Sequence, residues 1–337
     1  MNQAHRCARL AAAAGLSVGL ASDVLAQQVA ADWLGGSGNW NNPTKWSTPL
    51  FPDNGNVPGQ TYAVDIDITI GAIVELGQAV TVDSLDLHEG QLYIFGGDLT
   101  IEDTLSVSGT GNYRLRFGAI RGGVFDAGAS GNGLRFSGTS NELDGLTING
   151  NVVNSTSSSG ATVRNGLTMN GTFSLAERFT SLRFDGDQML SGNAVIGFDA
   201  GDPQDHTLVA VTDNSTLTID STVTLRGGSG ELYGTGSDSE PSSIINNGLI
   251  SADVSGETIF IRDADFISSG TIEAINGGTL DIGGLGNDEM PWSSNGTVRA
   301  GAGSTLLLGG PFSLGGSTLD TAAGEVRIRG QLDNSGQ

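Results

Sequence analysis

The sequence predicts an all-β fold, a right-handed parallel β-helix with ~20–22 residues per coil. Three observations predict it. One short phrase recurs as Asn247-Gly248-Leu249-Ile250-Ser251-Ala252, Ser269-Gly270-Thr271-Ile272-Glu273-Ala274 and Asn295-Gly296-Thr297-Val298-Arg299-Ala300. Each copy is followed by an alternating apolar run: Thr258-Ile259-Phe260-Ile261, Thr279-Leu280-Asp281-Ile282 and Thr305-Leu306-Leu307-Leu308. Such alternation is the signature of a strand with one buried side. Finally, Gly makes up 53 of 337 residues, well above the usual ~7 % and without a collagen period. Each unit therefore reads as a turn, a short strand, a turn and another short strand. A leucine-rich repeat has a similar period, but its consensus is absent.

Taken in order, residues 1–26 read as a signal peptide. His5, Arg6 and Arg9 form a basic start, Leu10 to Ala21 an apolar run too short to span a bilayer, and Val24-Leu25-Ala26 a small-x-small cleavage site. The single cysteine, Cys7, lies inside that leader, so the mature chain has no disulfide framework. Residues 27–60 hold Trp33, Trp40 and Trp46 among Gly, Asn and Pro and lack strand alternation. A solenoid needs its first coil covered, and this segment is expected to be that N-terminal cap. The alternative for the three indoles is an aromatic platform for sugars.

Residues 61–337 are expected to be β-helix repeats. Val82 matches Ile101 at an offset of 19 and Leu85 matches Leu105 at 20, a one-residue drift between coils. Gly145 to Val152 matches Gly166 to Phe173 at 21, with a fainter copy at Leu190 to Ala194. Turn glycines continue at Gly248, Gly270, Gly296, Gly316 and Gly336, each after Asn, Ser or Gly, as left-handed turns would prefer. The long step before Gly296 holds an insertion around Leu285–Trp292. Buried rows are expected at Ile259, Leu280, Leu306 and Val326, and at Ile261, Ile282, Leu308 and Ile328. Glu273 and Arg299 fall at one position of successive coils. The last repeat stops before its partner strand, so the chain is expected to be truncated at its C-terminus.

The opening Trp33-Leu34-Gly35-Gly36-Ser37-Gly38-Asn39-Trp40, then Trp46, then Pro52-Asp53-Asn54-Gly55, resembles the start of autotransporter-like β-helix proteins. These are exported bacterial proteins, many carrying a PEP-CTERM sorting tail or, in planctomycetes and their relatives, a dockerin. The resemblance implies a secreted or cell-surface β-helix, outer-membrane associated, whose partners are extracellular polysaccharide or cell-envelope components. No sorting tail or translocator barrel is present in the 337 residues.

The formal charge of −22 repels nucleic-acid phosphates and anionic lipids. Lys45 is the only lysine and lies in the cap, so a polysaccharide lyase or hydrolase built here would need an arginine base. The best clusters for one are Arg262 with Asp263 and Asp265, and Arg183 with Asp185 and Asp187. Charges at alternate positions are also how a solvated strand face looks. Asp199, Asp202, Asp205 and His206 form a small loop cluster that is expected to be a solvated loop, since neither an EF-hand spacing nor a nonapeptide repeat is present; the alternative is a Ca²⁺ site. No other cofactor is implied, and no C-x-x-C or H-E-x-x-H occurs. The expected function is a non-enzymatic secreted or cell-surface structural or adhesion-type protein. The alternatives are a carbohydrate-active β-helix enzyme and a glycan-binding module.

Overall fold

In Thr258–Arg262 the pleat turns Ile259 and Ile261 inward, where both are buried, and leaves Phe260 on the outside. The next coil repeats the pattern in register: Ile259 pairs with Leu280, Leu280 with Leu306 and Leu306 with Val326. Ile261, Ile282, Leu308 and Ile328 form the second row. Both aliphatic rows expected from the sequence are therefore present in register, but they are buried only as far as Leu306 and Leu308; Val326 is half-buried and Ile328 is exposed. The computed structural model describes residues 26–127, 133–154, 156–200, 207–235, 241–283, 290–321 and 323–333. It is a β-solenoid of about 11 turns in which every strand ladder is parallel. At ~4.8 Å per turn the stack is on the order of 50 Å long. Among the described residues no helix is long and apolar enough to cross a membrane.

Among the described residues each coil after the first carries three strands rather than the two expected, so the cross-section is three-sided. The first face stacks Ser243–Asn246, Asp265–Ser268, Trp292–Ser294 and Pro311–Ser313. The second stacks Leu249–Ala252, Thr271–Ala274, Thr297–Ala300 and Thr318–Asp320. The third stacks Thr258–Arg262, Thr279–Ile282, Thr305–Leu308 and Glu325–Ile328. The first-face strand escaped the pattern because only one of its inward positions is apolar. The other is polar, as Asn246, Ser268 and Ser294, all buried. These groups are satisfied internally: Asn246 Nδ2 donates to Ser268 Oγ at 3.0 Å, and Asn246 Oδ1 accepts from the turn amide of Gly248 at 3.1 Å.

The one-residue drift between coils is a bulge. The register between Ala79–Leu87 and Asp98–Val107 shifts between Val82 and Ser84, at the corner where the third face becomes the first. Gly160–Leu175 runs around all three faces as one strand and bends at Asn165 and Gly166, both at positive φ. The pairing of Leu146 with Leu167 and of Val152 with Phe173 gives the expected offset of 21. The turn register slips once: Thr297 pairs with Thr318, so Ser317 rather than Gly316 takes the place of Gly296. Trp292, at the edge of the expected insertion, is core. It stacks on Phe312 at 4.9 Å and donates Nε1 to Gly309 O at 3.0 Å. Residues 284–289 lie outside the described residues.

The Trp-rich segment is itself a distorted first coil. Gln27–Asp32 pairs with Gln60–Ile66 on the first face, and Gly38–Asn39 with Ile73–Leu76 on the second. On the third face Asp53 and Asn54 grip Thr81: its amide donates to Asp53 Oδ1 at 2.9 Å, and Asn54 N donates to its carbonyl at 2.6 Å. Asp83 locks this coil to the next, accepting from Gln28 Nε2 at 2.8 Å, Thr61 Oγ1 at 2.6 Å and Asn54 Nδ2 at 2.9 Å. Burial raises the Asp83 pKa, but the bonds from Thr61, Gln28 and Asn54 outweigh it and hold the carboxyl below its ordinary 3.8. Because the folded value is the lower one, this stabilisation is present above the ordinary value and is lost as pH falls through the folded one. Asp83→Ala should cost about 2 kcal/mol at neutral pH, and in thermal melts the deficit should shrink below pH ~3.8. A deficit independent of pH would remove the charge from the explanation.

Candidate functional site

Trp33, Trp40 and Trp46 are buried, with 5 %, 1 % and 3 % exposure. Trp46 meets Trp33 edge-on at 4.9 Å and Trp40 at 4.8 Å. Each indole N–H is used: Trp33 on Gly36 O, Trp40 on Pro52 O and Trp46 on Trp40 O. Lys45 donates to Gly35 O at 3.0 Å and lies over the Trp33 ring. The ring faces are thus occupied by the protein itself and are not open to a sugar. Asp199 is exposed and accepts from Ser174 Oγ. Asp202, Asp205 and His206, its companions in the loop cluster, lie outside the described residues.

Of the two arginine clusters, one survives in part and the other comes apart. Arg262 keeps Asp263 at 3.8 Å but turns to Glu231 at 2.6 Å, one coil back, instead of joining Asp265. Arg183 stands out on the third face, but its presumed partners are engaged elsewhere. Asp185 pairs with Arg164, and Asp187 Oδ1 accepts from Thr216 N at 2.9 Å. What does gather around Arg183 comes from neighbouring coils. Glu142, Thr162 and Arg183 are one outward row of the third face, and Arg121, Asp144 and Arg164 the next. Thr139, Ser140, Phe179 and Ser181 wall a groove of about 510 Å³ over Glu142, Thr162, Arg164 and Arg183.

Glu142 in this groove sits between Arg121 and Arg164, the latter at 3.2 Å. Arg121 also meets Asp144 at 2.6 Å and Asp98 at 3.3 Å. Burial works against the charge on Arg121, yet the hydrogen bonds to Asp144 and Glu142 and the field of Asp98 raise its pKa further. Arg183 forms no ion pair among the described residues.

A third cluster was not read from the sequence. Asp65 and Asp86 are paired in register on the first face, and His88 Nε2 lies 3.1 Å from Asp65 Oδ2 and 3.4 Å from Asp86 Oδ2. Ser108 Oγ is 2.8 Å from His88 Nδ1, and Ser106 Oγ donates to Asp86 Oδ1 at 2.6 Å. The hydrogen bond to Asp65 raises the His88 pKa, burial opposes it, and the charges of Asp65, Asp86 and Asp67 add to the rise. One imidazole and two carboxylates, with ligand atoms within 4.8 Å of one another, have the donor types a divalent cation accepts. The imidazole already bridges the two acids, and all three groups are part-exposed. The usable signal was the pair of aspartates one coil apart, with His88 two residues after the second.

Compared with known proteins, the chain matches no family model, no curated protein and no solved structure.

Proposed function

We propose that the chain is an exported, non-enzymatic rod of the secreted or cell-surface structural or adhesion type. The supporting observation is how its outward charges are used. Arg121, Arg164, Arg226, Arg262, Arg299 and Arg329 each reach an acid on a neighbouring coil or the one beyond, at Asp144, Asp185, Asp253, Glu231, Glu273 and Asp281. Charges arranged this way tie coil to coil along the axis and are spent on one another. The basic, apolar leader at residues 1–26 supports export, and the resemblance of the Trp33 to Gly55 opening supports display at the surface. The test is to express the full chain and fractionate the cells, then to incubate the purified protein with polyuronates and sulfated polysaccharides, with and without Ca²⁺. Leader-dependent export and intact polymers are expected. Depolymerisation would overturn the non-enzymatic reading.

One observation favours a second reading, a carbohydrate-active enzyme. Glu142, Arg164 and Arg183 converge in one groove from adjacent coils. The same incubation decides it, with Glu142→Gln abolishing any cleavage that belongs to the groove.

A further inference from the structure

We infer that the second face of the N-terminal coils is a binding strip for an anionic polysaccharide. On that face Gln91–Phe95, Asn112–Arg116 and Leu134–Phe136 stack in consecutive coils. Their outward positions place Tyr93, Arg114 and Arg135 in one row and Phe95 beside Arg116 in the next. Tyr93 stacks on Phe95 at 5.7 Å, and the Arg116 guanidinium lies 5.6 Å from the Phe95 ring and 5.5 Å from that of Phe117. Arg114 lies 5.4 Å from the Tyr93 ring and donates to Ser137 Oγ.

Two features of this strip are not explained by folding. The first is charge. The chain has 37 acidic residues to 15 basic ones, and most described arginines find a carboxylate. Arg114, Arg116 and Arg135 form no ion pair with any described acid, although all three are exposed on adjacent coils. The second is the exposure of Phe95 and Phe117, at 49 % and 52 %. Phe117 also has φ 58, at a corner where the coils before and after use Gly96 and Gly138 at φ 66 and 76. A bulky residue held there costs about 1 kcal/mol or more, and its ring gains little burial in return. The same corner two coils after Gly138 holds Phe179, φ 57 and 47 % exposed, at the lip of the Arg183 groove.

Aromatic ring faces accept the C–H face of a pyranose, and a planar guanidinium takes a carboxylate or sulfate through paired N–H donors. Coils repeat every ~4.8 Å, close to the length of one sugar residue, so an extended chain along the axis meets a cation or a ring at each step. Single-stranded nucleic acid also stacks on aromatics. The strongly acidic protein opposes both kinds of polyanion alike, and the choice between them is made by export, since an exported rod meets polysaccharide. The inference rests on the proposed exported rod only for that last point.

The test is calorimetric titration of the full chain with a polyuronate, dextran sulfate, neutral dextran and single-stranded RNA. Binding of one or both anionic polysaccharides, weakened by salt, is expected, and the two arms separate carboxylate from sulfate. The triple variant R114S/R116S/R135S should weaken it at least about tenfold. Phe117→Gly should weaken it several-fold while leaving the melting temperature unchanged or higher, because glycine suits the corner. Absence of binding to both anionic polymers, equal binding to neutral dextran, preference for RNA, or unaltered affinity in both variants would overturn the inference. Cleavage of a polymer that the variants still fail to bind would overturn the non-enzymatic reading and leave the strip standing. Export without binding would do the reverse.

Discussion

Gly270→Ala should destabilise the solenoid by an amount near the upper end of the ~1–3 kcal/mol typical of overpacking. The cause is close stacking of the turns. A Cβ on Gly270 would lie 2.0 Å from Gly248 O and 2.6 Å from Asn247 C, and one on Gly296 would lie 2.0 Å from Gly270 O. None of these glycines is at positive φ. The sequence suggested left-handed turns here, whereas the structure shows that glycine is required by proximity along the axis. The obstructing atoms are backbone and already bonded, since Thr271 N donates to Gly248 O at 2.8 Å and Thr297 N to Gly270 O at 2.9 Å. An added methyl must separate two coils and stretch those bonds. Gly256 is the control. Its φ is +81 and nothing lies within 4 Å of its Cβ position, so alanine there meets only the backbone cost of about 1 kcal/mol. Melting of both variants checks the order; a Gly256→Ala loss equal to or greater than that of Gly270→Ala would refute the stacking argument.

The contrast between these glycines shows what a sequence of this kind reveals. Ile259, Leu280, Leu306 and Val326 could be aligned because an inward aliphatic row tolerates few residue types and repeats along the chain. The first-face strand could not, because Asn246, Ser268 and Ser294 interrupt the apolar alternation while remaining buried. The distorted first coil was hidden for a different reason. Its second-face strand is only Gly38–Asn39, and its third-face contact is made by the side chain of Asp53 and the amide of Asn54 rather than by a strand. Outward residues are the least legible, since a site on a solenoid takes one or two residues from each coil. Tyr93 and Phe95, against Arg114 and Arg116, are the same two positions 21 residues apart, but ring and guanidinium share no pattern until the register is known. The Arg183 cluster failed in the opposite sense. Arg183 and Asp185 are near in sequence, yet the acid is taken by Arg164 of the preceding coil.

Trp46→Ala should cost about 3–5 kcal/mol, as removal of a large buried aromatic does, and the loss should be local. Trp46 is the middle ring of the cluster, edge-on to both Trp33 and Trp40, and its backbone makes the only isolated bridge among the described residues, to Trp33. Without it Trp40, at 1 % exposure, borders a cavity, and the first coil loses the contact that closes it. Coils of a solenoid contact mainly their neighbours, so stability is close to a sum of coil and interface contributions. The amides of Gln60–Ile66 and Ile73–Leu76, which pair with the first coil, should exchange hydrogen much faster. Those of Thr279–Ile282, many coils away, should keep their protection. Trp46→Phe, which retains a ring between the other two, should lose less than half as much. Uniform loss of protection along the whole stack would mean that the solenoid unfolds as one unit, and unchanged exchange at Tyr62 to Ile66 would mean that the tryptophans do not hold its end.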